Sequence, residues 1–217
     1  MKKRILITLP KSDDTTEYLT AFSKPIMETC SANGIKVKQL ERQEITRTNF
    51  EGLIKNMEFD IIVINGHGSP NCITGHKGEK IIEIGVNEQI LLGKITYARS
   101  CWFALGLEKC VKHSDDKEGC FIGYKIPFEF LIDPEWKSNP QKDNVARIFF
   151  DTSNLVPIGL IKGHSTKEVH DNSKRSMLKA INKALSNSDE DSLAIASSLW
   201  RNYYGQTIIG NPNLTLI

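Results

Sequence analysis

Short apolar runs alternate along the chain with longer segments in which apolar residues recur every three or four positions. Runs such as residues 4–9 and 61–64 are rich in β-branched residues and bounded by turn residues, which is typical of buried strands. The intervening segments have the periodicity of helices with one apolar face. The first 66 residues therefore predict the order strand, helix, strand, helix, strand, which implies right-handed crossovers and a parallel sheet.

The same patterns predict the other elements of an α/β fold. Strands are expected at residues 4–9, 35–40, 61–64, 95–100, 119–124 and 206–210, with a continuation over 213–216. Helices are expected from Asp13 or Asp14 to about residue 33 and over 48–57, 87–92, 144–151, 171–185 and 191–204, besides one that follows Cys101. Residues 69–85 predict a small hairpin, and the irregular segment 126–142 has the length of a functional or mobile loop.

Composition places the chain among ordinary globular proteins. With 217 residues, of which 40% are apolar and 25% charged, residues 1–217 are expected to form a single domain. A net charge of +2, with basic and acidic residues interspersed, gives no reason to expect nucleic acid or a membrane surface as a partner. No run reaches transmembrane length, and the apolar stretch after Arg4 lacks a cleavage site, so it predicts a strand rather than a signal peptide.

The five cysteines argue against a disulfide framework and against a metal centre. They lie at positions 30, 72, 101, 110 and 120, an odd number with no C-x-x-C spacing. Cys72 and His76 are four residues apart but belong to the predicted hairpin rather than to a helix face, so no metal or other cofactor is expected. Unpaired thiols in this number indicate a reducing compartment, most simply the cytoplasm.

Two of the predicted strands end on residues that carry chemistry. His67, flanked by two glycines, follows the strand at 61–64, and Cys101 follows the strand at 95–100. If the two strands are parallel neighbours, their ends lie about 4.8 Å apart. The imidazole and the thiol then share a cleft beyond the carboxyl edge of the sheet, where ligands of open α/β sheets bind. The pair predicts a Cys–His nucleophilic site.

In such a site Cys101 is the nucleophile and His67 is the general base, which later protonates the leaving amine. A helix predicted to start at Trp102 and the neighbouring imidazole are both expected to lower the pKa of the Cys101 thiol. Gly68 has no side chain, so its N–H and that of Cys101 are expected to donate hydrogen bonds to the substrate oxyanion.

Each residue alone has a plainer interpretation. A cysteine in a strand is usually a small buried hydrophobe, and a histidine between glycines is often a turn residue, so the joint position at two strand ends carries the prediction. Among the others, Cys30, Cys110 and Cys120 are expected in the packing, His113 and His170 on helical stretches, and His164 in a loop as an alternative base.

The pattern Asn65-Gly-His-Gly68 after one apolar strand and Ala98-Arg-Ser-Cys101 after the next resembles the caspase-like cysteine peptidases of clan CD. The strand at 119–124 and the ending Gly210-Asn-Pro212 also resemble bacterial members of the CHAT type. The resemblance implies a caspase-like three-layer sandwich, with helices on both faces of a mostly parallel sheet and a small hairpin near the active edge. It also implies a cysteine endopeptidase that cleaves a protein or peptide partner at limited sites through an acyl-enzyme, in bacterial defence or programmed death.

Arg99 and two acidic residues are candidates for binding the substrate residue before the scissile bond, P1. Strand alternation places Arg99 on the same side as Cys101. In the family, that position helps to line the P1 pocket, and a guanidinium there favours an acidic P1 residue. Arg99 equally fits a structural role in which it neutralises a buried carboxylate. Glu129 and Asp133 either build an acidic pocket or pair with Arg99.

Two other functions fit the same strand pattern. The main alternative is a binding or scaffold module of the same fold in which Cys101 is inert. A flavodoxin-like nucleotide or signalling domain is a weaker alternative, because no Gly-rich phosphate loop follows the first strand. If the chain is a protease, activation is expected through cleavage within residues 126–142 or through a protein partner.

Overall fold

The structure is a computed structural model that describes residues 3–110, 118–187 and 190–216. Within these residues the strands are β1 Arg4–Leu9, β2 Lys36–Glu41, β3 Ile61–Asn65, β4 Cys72–Thr74, β5 Lys80–Glu83, β6 Ile95–Arg99, β7 Cys120–Tyr124 and β8 Gln206–Gly210. The α-helices are α1 Asp14–Ala21, α2 Lys24–Ala32, α3 Arg47–Asn56, α4 Phe103–Cys110, α5 Asn144–Ile161, α6 Thr166–Leu185 and α7 Glu190–Gly205. The helix expected at 87–92 is a short 3-10 turn over Glu88–Leu91.

A mostly parallel sheet forms the centre of the fold. Its strand order is β2-β1-β3-β6-β7-β8, and every neighbouring pair is parallel except β7 with β8. Strands β4 and β5 pair antiparallel as a separate hairpin. The predicted parallel sheet and hairpin are therefore confirmed. The two strands that lead to His67 and Cys101 are direct neighbours, as the prediction of a shared site requires.

Helices cover both faces of this sheet, because successive strand side chains point to opposite sides. On one face, residues such as Val63 and Tyr97 pack against α1, α2 and α5. On the other face, residues such as Ile62 and Ile64 pack against α3 and α4. Helices α5, α6 and α7 share a further apolar cluster around Phe149. The predicted arrangement of three layers is confirmed.

The long helix expected from Asp13 to about residue 33 is two helices in the structure. Pro25 has no amide N–H to donate to a preceding turn, and it lies in the first turn of α2, where that N–H is not needed. The chain therefore leaves α1 at Phe22 and restarts after Ser23. Asp13, one of the two residues predicted to cap this region, is the N-cap of α1.

Helix α5 extends beyond its predicted end at residue 151. The polar residues that follow are buried, and two of them satisfy their hydroxyl groups on the helix itself: Thr152 donates to the carbonyl of Phe149, and Ser153 to that of Phe150. A polar stretch of this kind does not interrupt a helix. After β8, the expected continuation over 213–216 forms no strand.

The side-chain environments of the minor cysteines agree with the sequence in part. Cys30 and Cys120 are buried, as expected of packing residues, whereas Cys110 is exposed on α4.

Within the described residues, no helix is both long enough and apolar enough to cross a membrane.

Candidate active site

Three loops meet at the carboxyl edge of the sheet, one after each of the adjacent strands β1, β3 and β6. Gly68 lies directly against Cys101: a Cβ atom added to Gly68 would be 2.9 Å from the Cys101 nitrogen and 2.4 Å from its carbonyl oxygen. Asn65 and Arg99 are the last register partners of the β3–β6 ladder, each two residues before a predicted catalytic residue. The structure therefore brings the loops of His67 and Cys101 into contact.

His67 is held by a residue that the sequence patterns did not assign to the site. Its Nε2 lies 2.7 Å from Oδ2 of Asp13, and both side chains are about half exposed, 51% and 45%. The other carboxylate oxygen of Asp13 accepts a hydrogen bond from the amide of Thr16 and so caps α1. The only signal in the sequence was the cap position itself, since the contact joins residues 54 apart.

The charge state of Asp13 sets the tautomer of His67. Partial burial raises the pKa of the Asp13 carboxyl, but hydrogen bonds from His67 and Thr16 outweigh it, so the pKa lies below its ordinary value. An ionised carboxylate only accepts hydrogen bonds, so Nε2 of His67 carries a proton. In the neutral imidazole, Nδ1 then carries no proton and is the nitrogen that is able to accept a proton.

Cys101 lies in a sharp turn between β6 and α4. The strand ends at Arg99 and the helix begins at Phe103, one residue later than expected. Between them Trp102 adopts a left-handed conformation with φ of 57°, which costs a bulky residue about 1–3 kcal/mol. Its amide donates to the carbonyl of Ile126 across 3.3 Å, and the residue is 39% exposed.

The predicted lowering of the Cys101 pKa is wrong. Burial raises the pKa of this half-buried thiol, a hydrogen bond from the backbone of Phe128 opposes the rise, and the nearby carboxylate of Glu129 adds to it. The net direction is upward from the ordinary value. A thiol with a raised pKa is protonated at neutral pH, so Cys101 would need a base to act as a nucleophile.

The backbone around Gly68 suits its predicted role as an oxyanion donor. Gly68 faces Ile73 across an antiparallel bridge whose hydrogen bonds are made by the flanking residues, Ser69 to Cys72 and Thr74 to His67, each 2.9 Å long. At such a non-hydrogen-bonded position, the N–H of Gly68 points away from β4. The role of this N–H and of the Cys101 N–H stays a prediction.

Arg99 does not line the cleft. Its side chain is 0% exposed, on the face of the sheet covered by α1, α2 and α5. Its guanidinium donates to Asn65 Oδ1 at 2.8 Å, Asn154 Oδ1 at 3.0 Å, Ser23 Oγ at 2.7 Å and the carbonyl oxygen of Leu19 at 3.2 Å. The prediction that Arg99 binds an acidic P1 residue is wrong, because β6 ends at Arg99 and alternation does not continue to Cys101.

The alternative interpretation of Arg99 is also wrong. All four of its hydrogen-bond acceptors are neutral, and within the described part of the chain no ion pair joins Arg99 to a carboxylate. Neither Glu129 nor Asp133 pairs with it.

The two acidic residues occupy different surroundings. Glu129 follows Phe128, whose backbone donates to the Cys101 thiol, and its carboxylate is near enough to raise the pKa of that thiol. The backbone of Glu129 is held by Asn202, whose side chain accepts from the Glu129 amide at 2.8 Å and donates to its carbonyl at 2.6 Å. The Glu129 carboxylate pairs with Arg201 at 3.1 Å. Asp133 instead caps a 3-10 turn, and its amide donates to Asp143, so its predicted place in an acidic pocket has no support.

The other histidines that the structure describes do not contact His67 or Cys101. His164 follows α5 near Thr166 and Lys167, whose amides donate to the residues after β8, at the edge where β7 begins. That is the opposite edge of the sheet from Cys101, so the prediction of His164 as an alternative base is wrong. His170 lies on α6 against the carbonyl of Gln206, and His113 lies outside the described residues. His76 contacts Ser12, and no metal-binding cluster occurs among the described residues.

Comparison with solved structures supports the fold. The chain is similar to the Arg-specific cysteine proteinase gingipain R, with a TM-score of 0.59 and 13% sequence identity, over 98% of this chain and 47% of that one. The chain thus spans about half the length of that structure. At this identity the likeness shows the caspase-like α/β fold. No protein-family model and no curated protein matches the chain, so the CHAT-type assignment has no support from sequence.

Proposed function

We propose that this protein is a cysteine endopeptidase in which Cys101 is the nucleophile, His67 the general base and Asp13 the residue that orients the imidazole. The observation that carries the proposal is the contact of the two strand-end loops, with Gly68 against the backbone of Cys101 and Asp13 on Nε2 of His67. A nucleophile, a base on the adjacent loop and a third group on the base are the parts from which a site for covalent acyl transfer is built.

The proposed reaction begins with transfer of the Cys101 proton to Nδ1 of His67. The sulfur then attacks the scissile carbonyl carbon, and the N–H groups of Gly68 and Cys101 stabilise the oxyanion. The C–N bond breaks as His67 returns the proton to the leaving amine, which leaves a thioester on Cys101. Water attacks the thioester with His67 as base, and the acid product and the free thiol are released.

Glu129 favours a basic P1 residue. Its carboxylate is near enough to raise the pKa of the Cys101 thiol, and its backbone is fixed by Asn202. Its partner Arg201 is about half exposed, and a surface ion pair is worth only about 0–1 kcal/mol, so a substrate guanidinium is able to displace it. Gingipain R, a solved structure of similar fold, is an Arg-specific enzyme.

The wider role follows from the resemblance to caspase-like peptidases. We expect cleavage of a protein partner at limited sites in the cytoplasm, with bacterial defence or programmed death as the context and a protein partner or cleavage within 126–142 as the activator. The segment 126–129 is the part of this stretch that contacts the Cys101 loop, through Ile126 and Phe128.

The proposed function is tested with a peptidyl acyloxymethyl ketone that carries arginine at P1, followed by mass mapping of the modified cysteine. We expect labelling at Cys101 that is abolished in Cys101→Ala and strongly slowed in His67→Ala. Cys110→Ala is the matched control, because this cysteine is exposed but lies at the far end of α4. Labelling spread over several cysteines, or independent of His67, favours the alternative of an inert scaffold module, which the raised thiol pKa also fits.

A further inference from the structure

The buried guanidinium of Arg99 has no role in the proposed chemistry and no acidic partner among the described residues. Taking a charge out of water without a counter-ion is costly, and neutral hydrogen bonds offset only part of that cost. A methionine or leucine would fill the same space at less expense to folding. The position of Arg99 in the fold therefore needs an explanation other than stability.

Arg99 connects the strand ends that carry the site. Its Nε donates to Asn65, its register partner on β3, and this side-chain contact closes the ladder just before His67 and Cys101. The amide nitrogen of Asn65 donates in turn to the carbonyl of Thr8, near the end of β1. The ends of all three strands that lead into the site are thus joined by a chain of hydrogen bonds from Arg99 through Asn65 to Thr8.

The same guanidinium also fixes the helix that presents Asp13. Its Nη2 donates to Leu19 in the last turn of α1 and to Ser23 just beyond it, and Asp13 is the N-cap at the other end of that short helix. Its Nη1 donates to Asn154 on α5, and its Cζ lies 5.4 Å from the centre of the Phe150 ring. The position of Asp13 relative to Cys101 is therefore set through Arg99.

We propose that Arg99 is a positioning residue of the peptidase site, which holds Cys101, His67 and Asp13 in register. This inference rests on the proposed function. A guanidinium suits the task because its donors lie in one rigid plane and reach acceptors on different elements at once. The carbonyl groups at the end of α1 carry the negative end of the helix dipole, which partly compensates the charge. A lysine has the charge but not the fork, so it is expected to replace Arg99 only in part.

The test measures how strongly His67 accelerates alkylation of Cys101, which requires no peptide substrate. Iodoacetamide is reacted with the full chain at pH 7, and Cys101 modification is followed by peptide mass mapping in the wild type, His67→Ala, Arg99→Met, Arg99→Lys and the two double variants with His67→Ala. We expect His67→Ala to slow alkylation of the wild type by about 10-fold or more. In Arg99→Met this dependence on His67 disappears, and in Arg99→Lys it is intermediate.

Thermal unfolding of every variant separates positioning from stability. Phe50→Leu is the matched control, because Phe50 is buried in the opposite layer, on α3, away from the Arg99 contacts. It is expected to lower the melting temperature and to keep the full dependence on His67. The proposal is overturned if the Phe50→Leu control loses the dependence on His67. It is also overturned if folded Arg99→Met keeps the full dependence. If Arg99→Met does not fold, full dependence in Arg99→Lys overturns it.

The same measurement distinguishes this inference from the proposed function. If the wild type shows the dependence on His67 but hydrolyses no peptide, either intact or after cleavage within residues 126–142, the peptidase proposal fails while the positioning role stands. If His67→Ala leaves the alkylation rate of the wild type unchanged, the two residues are not coupled and both proposals fail.

Discussion

One carboxylate oxygen of Asp13 accepts a hydrogen bond from Nε2 of His67 at 2.7 Å, while the other accepts one from the amide that it caps at the start of α1. The orientation of the imidazole is thereby coupled to the first turn of a helix that packs into the core. Asp13 therefore both caps α1 and orients His67. These two roles of Asp13 can be separated by substitution.

Asp13→Asn should lower kcat/KM by about 10²-fold or more with little effect on stability. Asparagine is as good an N-cap as aspartate, so the free energy of unfolding should change by less than about 0.5 kcal/mol. The amide, however, no longer fixes the proton on Nε2 of His67 or stabilises the imidazolium. Steady-state kinetics on a peptide ester and thermal unfolding measure the two effects.

The adjacent residue provides the control for this substitution. Asp14 forms an exposed ion pair with Lys137 at 2.9 Å, and its loss should cost at most about 1 kcal/mol. Asp14→Asn should therefore keep the activity of the wild type. Equal losses of activity in both variants would show that Asp13 acts through the general negative charge of this rim rather than through His67.

Gly68→Ala should inactivate the protein and destabilise it. The added Cβ would overlap the backbone nitrogen and oxygen of Cys101, at 2.9 and 2.4 Å, and neither atom is able to move without displacing the turn that holds the thiol. Gly52→Ala is the control, because a Cβ at that position in α3 meets nothing within 4 Å. It should raise the free energy of unfolding by up to about 1 kcal/mol and leave activity unchanged. Retained activity in Gly68→Ala would contradict the close approach of the two loops.

The parts of the site that sequence predicts are those that follow from local pattern. The apolar runs before His67 and Cys101 identify buried parallel strands, and parallel strands end at a common edge, so their meeting could be foreseen from residues 61–101 alone. The sequence predicts only that the Gly68 N–H donates to a substrate oxyanion, which stays a prediction; the close approach of Gly68 to the Cys101 backbone is seen only in the structure.

The misjudged residues depend on contacts that no local pattern contains. Asp13 meets His67 across 54 positions, and Arg99 meets Asn154 across 55. Strand alternation predicts that Arg99 faces the same side as Cys101 only if β6 continues to Cys101, and β6 ends at Arg99. In the structure, the Arg99 guanidinium faces neither solvent nor a carboxylate, because it donates to neutral oxygen atoms from three helical segments and one strand.

The alkylation rate of Cys101 should still be rising at pH 9. Burial and the Glu129 carboxylate raise the pKa of the thiol above its ordinary value of 9.0, so the thiolate fraction grows only at higher pH. Iodoacetamide rates measured from pH 5 to 10 in His67→Ala, where no base contributes, report this titration directly. Free cysteine in the same buffers is the control and should reach half of its maximal rate at lower pH. A plateau below pH 8 would instead indicate a thiolate stabilised by the helix end.

Glu129→Gln should reduce hydrolysis after arginine and lysine by about 10-fold or more while sparing substrates with a neutral P1 residue. The reason is that a charged partner is lost where the guanidinium or ammonium group of the substrate is expected to bind. Removal of the carboxylate also lowers the thiol pKa slightly, since Glu129 contributes to its rise, so the neutral substrates should not be slowed. Competition between fluorogenic peptides that differ only at P1 measures the ratio of kcat/KM values.

Two further variants decide whether the effect belongs to Glu129 itself. Glu135→Gln removes a charge from the same segment at an exposed position and should leave the P1 ratio unchanged. Arg201→Ala removes the resident partner of Glu129 and should lower KM for arginine substrates, because the substrate no longer displaces an existing ion pair. If Arg201→Ala instead raises KM for those substrates, Arg201 rather than Glu129 contacts the peptide, and the preference for a basic P1 residue is wrong.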